Sequence, residues 1–144
     1  MITLEKNSYY SFLKEIKEKI HQAQYAAMRQ LNTSLINLYW EIGKSIVEKQ
    51  KQYGWGKSVV ETLSKDLQNE FPGVQGYSAR NLWYMRNFFD QYSGNSKLQP
   101  LVAEISWSHN MVIMEKCKDD LEREFYIQMA KKYGWTNSLT PILF

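Results

Sequence analysis

The stretch GYSARNLWYMRNFF, residues 76–89, decides how this chain is read. At 100° per residue, Leu82, Met85, Phe88 and Phe89, continued by Tyr92, fall in one arc of roughly 120°, the apolar face of an amphipathic helix. That spacing predicts a helix over 79–92 with the arc turned into a core. The other side carries Arg80, Trp83, Tyr84, Arg86, Asn87 and Gln91, and no acid stands between Glu70 and Asp90. Ser78 sits where an N-cap belongs, its hydroxyl placed to accept from an open amide of the first turn.

Working upstream, Val60, Leu63, Leu67 and Phe71 recur at helical spacing and Pro72-Gly73 stops the run, which predicts a helix over 57–71. Two helices around a Pro/Gly turn, the second with Arg and Asn outward, follow the order of a helix-turn-helix, whose second helix enters the major groove. The connection from Pro72 to Tyr77 exceeds the usual three or four residues. In that reading Arg80 and Arg86 meet phosphates or guanine edges, Asn81 or Asn87 meets adenine, and Lys57 contacts the backbone. Tyr84 lies on the same face, and Trp83, outside the apolar arc, either packs under a neighbour or offers a base a platform.

From Tyr9 to Gln52 there is no proline and one glycine, Gly43. Leu35, Leu38, Ile42 and Ile46 form a stripe, and the segment is one very long helix or two with a break near Asn32, Thr33 and Ser34. A continuous helix would extend roughly 60 Å, about twice the width of a compact domain of this length, and a helix that overshoots its own domain needs a partner. The expectation is a homo-oligomer, a dimer first, paired through this helix. Downstream, Ser106 or Ser108 is placed to cap a helix carrying Met111, Val112 and Met114. Asp119 or Asp120 starts another carrying Leu121, Phe125, Met129 and Tyr133, ended by Gly134. No run alternates with period two, so the fold class is all-α: a long N-terminal helix, then a helix-turn-helix-like bundle, in one domain over 1–144.

Composition narrows the function. The net charge is +3, and residues 44–86 hold seven Lys/Arg against four acids, so the positive excess sits beside the candidate recognition helix. Cys117 is the single cysteine and the N-terminus lacks the signature of a secretory signal, so the cytoplasm is the expected compartment. Apolar runs are too short to cross a bilayer. His21, His109 and Cys117 are scattered without zinc-ligand spacing, and Ser108-His109 is no catalytic pair, since adjacent side chains on a helix diverge by about 100°. Gly54-Trp55-Gly56 follows no strand and reads as a helix stop, with Trp55 tucked on the core. Catalytic residues, metal, cofactor and small-molecule substrate are all expected to be absent.

The ordered blocks YWEIG, GWG, GYS-x-x-NLW, WSH, EFY and GW, spread over about residues 20–135, resemble the N-terminal domain of the YhcG-type nuclease family. The resemblance implies an all-helical DNA-binding module placed ahead of a C-terminal PD-(D/E)xK nuclease domain, in proteins of DNA processing or defence. After GWT the residues NSLTPILF depart from the family's amphipathic continuation, and no nuclease half follows in this sequence. The fits to E-x-K, such as Glu15 with Lys17, fall within a helix and lack the strands that bring metal-holding acids together. The expected function is a DNA-binding, self-associating module without catalysis of its own; the alternative is a protein-interaction scaffold that does not touch DNA.

Overall fold

The computed structural model describes residues 5–133, and these form six helices with no strand among the described residues. They are α1 (Lys6–Tyr53), α2 (Ser58–Glu70), α3 (Ala79–Tyr92), α4 (Gln99–Val102), α5 (Trp107–Lys116) and α6 (Asp120–Tyr133). The all-α expectation holds. The chain divides into two compact units, Met1–Leu31 and Asn32–Phe144.

In the first unit the described residues are helical from Lys6 onward, and every side chain is exposed except half-buried Leu13 and Ile16. The second unit holds the core. There α1 runs unbroken through Asn32, Thr33 and Ser34, where a break was one of two expectations. Asn32 Nδ2 donates to the Ile105 carbonyl at 2.9 Å and Thr33 Oγ1 to that of Ala103 at 3.4 Å. The polar triplet that looks like a loop is thus a helical surface that satisfies carbonyls after α4.

The buried stripe of α1 is Ile36, Tyr39, Gly43, Ile46 and Val47. It is offset from the predicted one: Leu35 and Leu38 are exposed and Ile42 is half-buried. Gly43 explains the offset. A Cβ there would lie 2.0 Å from the Met85 carbonyl oxygen, so the missing side chain lets the backbones of α1 and α3 touch. That contact turns the glycine face, not the leucine face, toward α3. Around it Trp40 meets Phe88 and Phe89 edge-on at 5.5 and 5.1 Å, and Phe88 meets Trp107 at 5.1 Å.

In α3 the predicted arc is buried as Leu82, Met85, Phe88 and Tyr92, with Phe89 at its half-buried edge. In α2 only Val60 of the predicted stripe is buried; Leu63 and Leu67 are half-buried and Phe71 is exposed. Trp55 is exposed as well, stacked on Tyr53 at 4.7 Å instead of tucked on the core. Gly54, at φ 66, supplies the left-handed residue that ends α1.

The face of α6 differs most from its sequence reading. Leu121, Phe125 and Tyr133 are exposed, and the buried set is Arg123, Ile127 and Ala130. Arg123 Nε donates to the Cys117 carbonyl at 2.7 Å and Nη2 to that of Met114 at 3.3 Å, with Nη2 also on Gln91 and the guanidinium 5.3 Å from the Tyr92 ring centre. Those carbonyls are the open end of α5, where helix polarity favours a cation. An arginine therefore occupies the inward position that an apolar pattern would assign to leucine. The Gly134 stop lies outside the described residues.

Candidate nucleic-acid interface

The turn into α3 is built by residues far apart in sequence. Ser78 is extended (φ −66°, ψ 155°) and its Oγ accepts from the Asn81 amide at 3.1 Å, the predicted cap. Gly76, at φ 109, presses against α1: a Cβ there would meet the Tyr39 hydroxyl oxygen at 2.5 Å. Asn81 Nδ2 donates to the Gly76 carbonyl at 2.7 Å, and its Oδ1 accepts from Trp107 Nε1 at 2.8 Å. Trp107 in turn packs edge-on against Tyr39 at 4.9 Å. Burial raises the Tyr39 hydroxyl's pKa, as does the neighbouring Tyr77, while its hydrogen bond with Asn81 opposes them. The YWEIG, GYS-x-x-NLW and WSH blocks are thus three walls of one strut, and Asn81 is its pin.

With both ends of its amide engaged, Asn81 is not offered to a base. Trp83 is half-buried at the margin of the core, and the Arg86 guanidinium lies 5.5 Å from its ring centre, which covers it as a stacking platform. The remaining predicted residues reach the surface. Arg80 is exposed; its Nη2 donates to the Tyr84 hydroxyl at 3.3 Å and its guanidinium lies 5.5 Å from that ring centre. Its pKa is raised, first by the hydrogen bond to Tyr84, with the Glu115 carboxylate adding to the rise. Arg86 is half-buried: Nε donates to Gln50 Oε1 at 2.7 Å and Nη1 to Asn87 Oδ1 at 3.2 Å. Both partners are neutral, and its charge and other donors are left over. Lys57 is exposed at the N-cap position of α2 without a side-chain cap bond.

The Glu115 carboxylate across the cleft acts electrostatically on Arg80, whereas the hydrogen-bond partners of Arg86 are neutral. The ion pairs Lys19–Glu15, Lys97–Glu124 and Lys131–Glu104 lie outside α3. A cleft of about 640 Å³ opens beside the first turn of α3, lined by Arg80, Tyr84, Trp107, Ser108, Met111 and Glu115 among others. Glu115 is its one carboxylate. No group of three or more His, Cys, Asp or Glu side chains among the described residues is placed to hold a metal. No helix among the described residues is long and apolar enough to cross a membrane.

Gln50, which aims Arg86, was invisible to sequence reading because nothing at a separation of 36 residues marks the pair. Tyr39 and Trp107 were legible as members of distinctive blocks, though not as neighbours. The family model of the DUF1016 N-terminal domain matches residues 15–140, and the chain belongs to that family, the N-terminal region of the YhcG-type proteins. No curated protein and no solved structure matches the chain.

Proposed function

We propose that this DUF1016 N-terminal domain binds DNA through the outer face of α3 and associates with itself through the N-terminal part of α1, with no catalysis of its own. The observation that carries the DNA reading is the pair Arg80 and Arg86, hydrogen-bonded to the neutral groups of Tyr84, Gln50 and Asn87, on a helix without an acid of its own before Asp90, with Glu115 the carboxylate that acts on Arg80 from across the cleft. Gln50 holds the Arg86 guanidinium in one direction, which lowers the ordering cost of a phosphate contact. Lys57, Tyr84 and Asn87 extend the contact surface, whereas Asn81 and Trp83 act by holding the helix in place. In longer relatives such a module would bring a nuclease domain to its DNA, in the cytoplasm.

The test is binding of labelled duplex across a salt series. Each phosphate contact contributes a slope of roughly −0.9 in log affinity against log salt, so Arg80→Ala with Arg86→Ala lowers the slope by about 2 and weakens binding at least tenfold. Unchanged affinity and slope would remove the DNA reading. A second reading, a scaffold that assembles protein partners, draws on the groove of about 580 Å³ walled by Leu38, Ile42, Val59, Leu63 and Leu67 and ending at exposed Phe71. Under that reading the double variant binds duplex as the parent does.

A further inference from the structure

The first unit carries an apolar seam with a hidden symmetry. Tyr9, Leu13, Ile16, Ile20, Ala23 and Ala27 follow one another at steps of four, three, four, three and four, the heptad spacing of a coiled-coil face. All six lie within α1, and Tyr9, Ile20, Ala23 and Ala27 are exposed. A helix gains most of its stability in water from packing its apolar face, so this one needs a surface to lie against.

Side-chain sizes select that surface. The bulky members stand at the N-terminal end of the seam and the two alanines at its C-terminal end. In a parallel pair Tyr9 would face Tyr9 and Ala27 would face Ala27, thick at one end and thin at the other. In an antiparallel pair whose facing residue numbers sum to 36, Tyr9 meets Ala27, Leu13 meets Ala23 and Ile16 meets Ile20. Every layer then combines a first-position with a fourth-position heptad residue and holds a similar volume, which close packing at constant helix separation requires. We propose that a second copy of this chain covers the seam, and that the two segments pair antiparallel about an axis near residue 18. This rests on the self-association reading above and adds its partner, register and direction.

Charge allows the arrangement. Lys17 and Lys19 of the two copies flank the axis, but each Lys19 is 3.6 Å from Glu15 of its own helix, and long exposed lysines bend away from a seam. The area buried is on the order of 1,000 Å², the lower edge of specific interfaces, so the dimer is concentration-dependent.

Sedimentation velocity over a dilution series reads the association, and thiol cross-linking reads the direction. The expected species shifts reversibly between the 17.1 kDa chain and twice that mass. Ile16→Asp with Ile20→Asp holds it at the monomer without unfolding the second unit, since the buried residues of α1 begin at Ile36. Mixed Leu13→Cys and Ala23→Cys chains cross-link, and Leu13→Cys alone does not; Cys117 is buried and stays silent. Self-linking of Leu13→Cys alone would overturn the direction and leave self-association standing. A dimer that survives the double aspartate variant would overturn the seam. A monomer at every concentration overturns both this inference and the self-association it builds on, while leaving the DNA reading to its own test.

Discussion

Replacing Gly43 with alanine sets two effects of opposite sign against each other. Within an isolated helix, Gly→Ala is favourable by about 1 kcal/mol, because glycine loses more backbone freedom on ordering. In the folded chain the new methyl would stand 2.0 Å from the Met85 carbonyl oxygen, 2.6 Å from its carbon and 3.2 Å from the Arg86 nitrogen. All three are backbone atoms of α3, so no rotamer change relieves them. The helices must part by roughly 1 Å, which loosens Leu82, Met85 and Phe88 against α1, and overpacking of this kind costs about 1–3 kcal/mol or more. The methyl's helix gain offsets only part, and a net loss of about 2 kcal/mol is expected. At roughly 3–5 °C per kcal/mol for a chain of this size, the melting temperature should fall by about 6–10 °C. The assay is thermal and urea unfolding followed by circular dichroism, beside peptides spanning 32–53 in both versions. The peptide should gain helix while the protein loses stability. A protein as stable as the parent, or more so, would show that α1 and α3 do not meet at backbone contact, and the placement of the α3 arginines would fall with that contact.

Two further outcomes follow from the same packing. Asn81→Ala leaves the Trp107 indole N–H and the Gly76 carbonyl without partners, so stability should drop by about 2 kcal/mol with a change in tryptophan emission. Full stability with weakened duplex binding would instead return Asn81 to the role of a base reader. Burial first, then a hydrogen bond with Glu122, pushes the Cys117 thiol from 9.0 up to about 12, and burial likewise raises the Tyr92 hydroxyl to about 12. Each folded pKa lies above its unfolded value, so this stability is fully present below about pH 9 and is lost as pH climbs toward 12. A melting temperature that declines from about pH 9, and from a higher onset in Cys117→Ala, is expected; a flat profile up to pH 11 would contradict the burial of both groups.

Local pattern carried a large share of the fold. The apolar arc of α3, the Ser78 cap and the stop at Pro72-Gly73 depend on residues within a few positions of one another, and all were legible. The α6 face was not. Leu121, Phe125 and Tyr133 have helical spacing, yet what turns inward is Arg123, because the carbonyls of Met114 and Cys117 need a donor and no count of apolar residues reveals that need. The stripe of α1 was displaced for a related reason: hydrophobicity favoured Leu35 and Leu38, and the absent side chain of Gly43 decided which face could come closest.

The candidate site divides the same way. That α3 is a helix with cations and amides on its outer side follows from the amino-acid order alone, since helix periodicity and the missing acids are properties of contiguous residues. Which of those side chains remain available was decided by tertiary packing. Asn81 is taken by Gly76 and Trp107, Trp83 lies beneath Arg86, and Arg86 is aimed by Gln50. A polar side chain's partner is whatever the folded backbone brings within about 3 Å, and two of these partners, Trp107 for Asn81 and Gln50 for Arg86, come from 26 and 36 residues away. Sequence order sets the period of a helix; only the meeting of helices sets what each polar group touches.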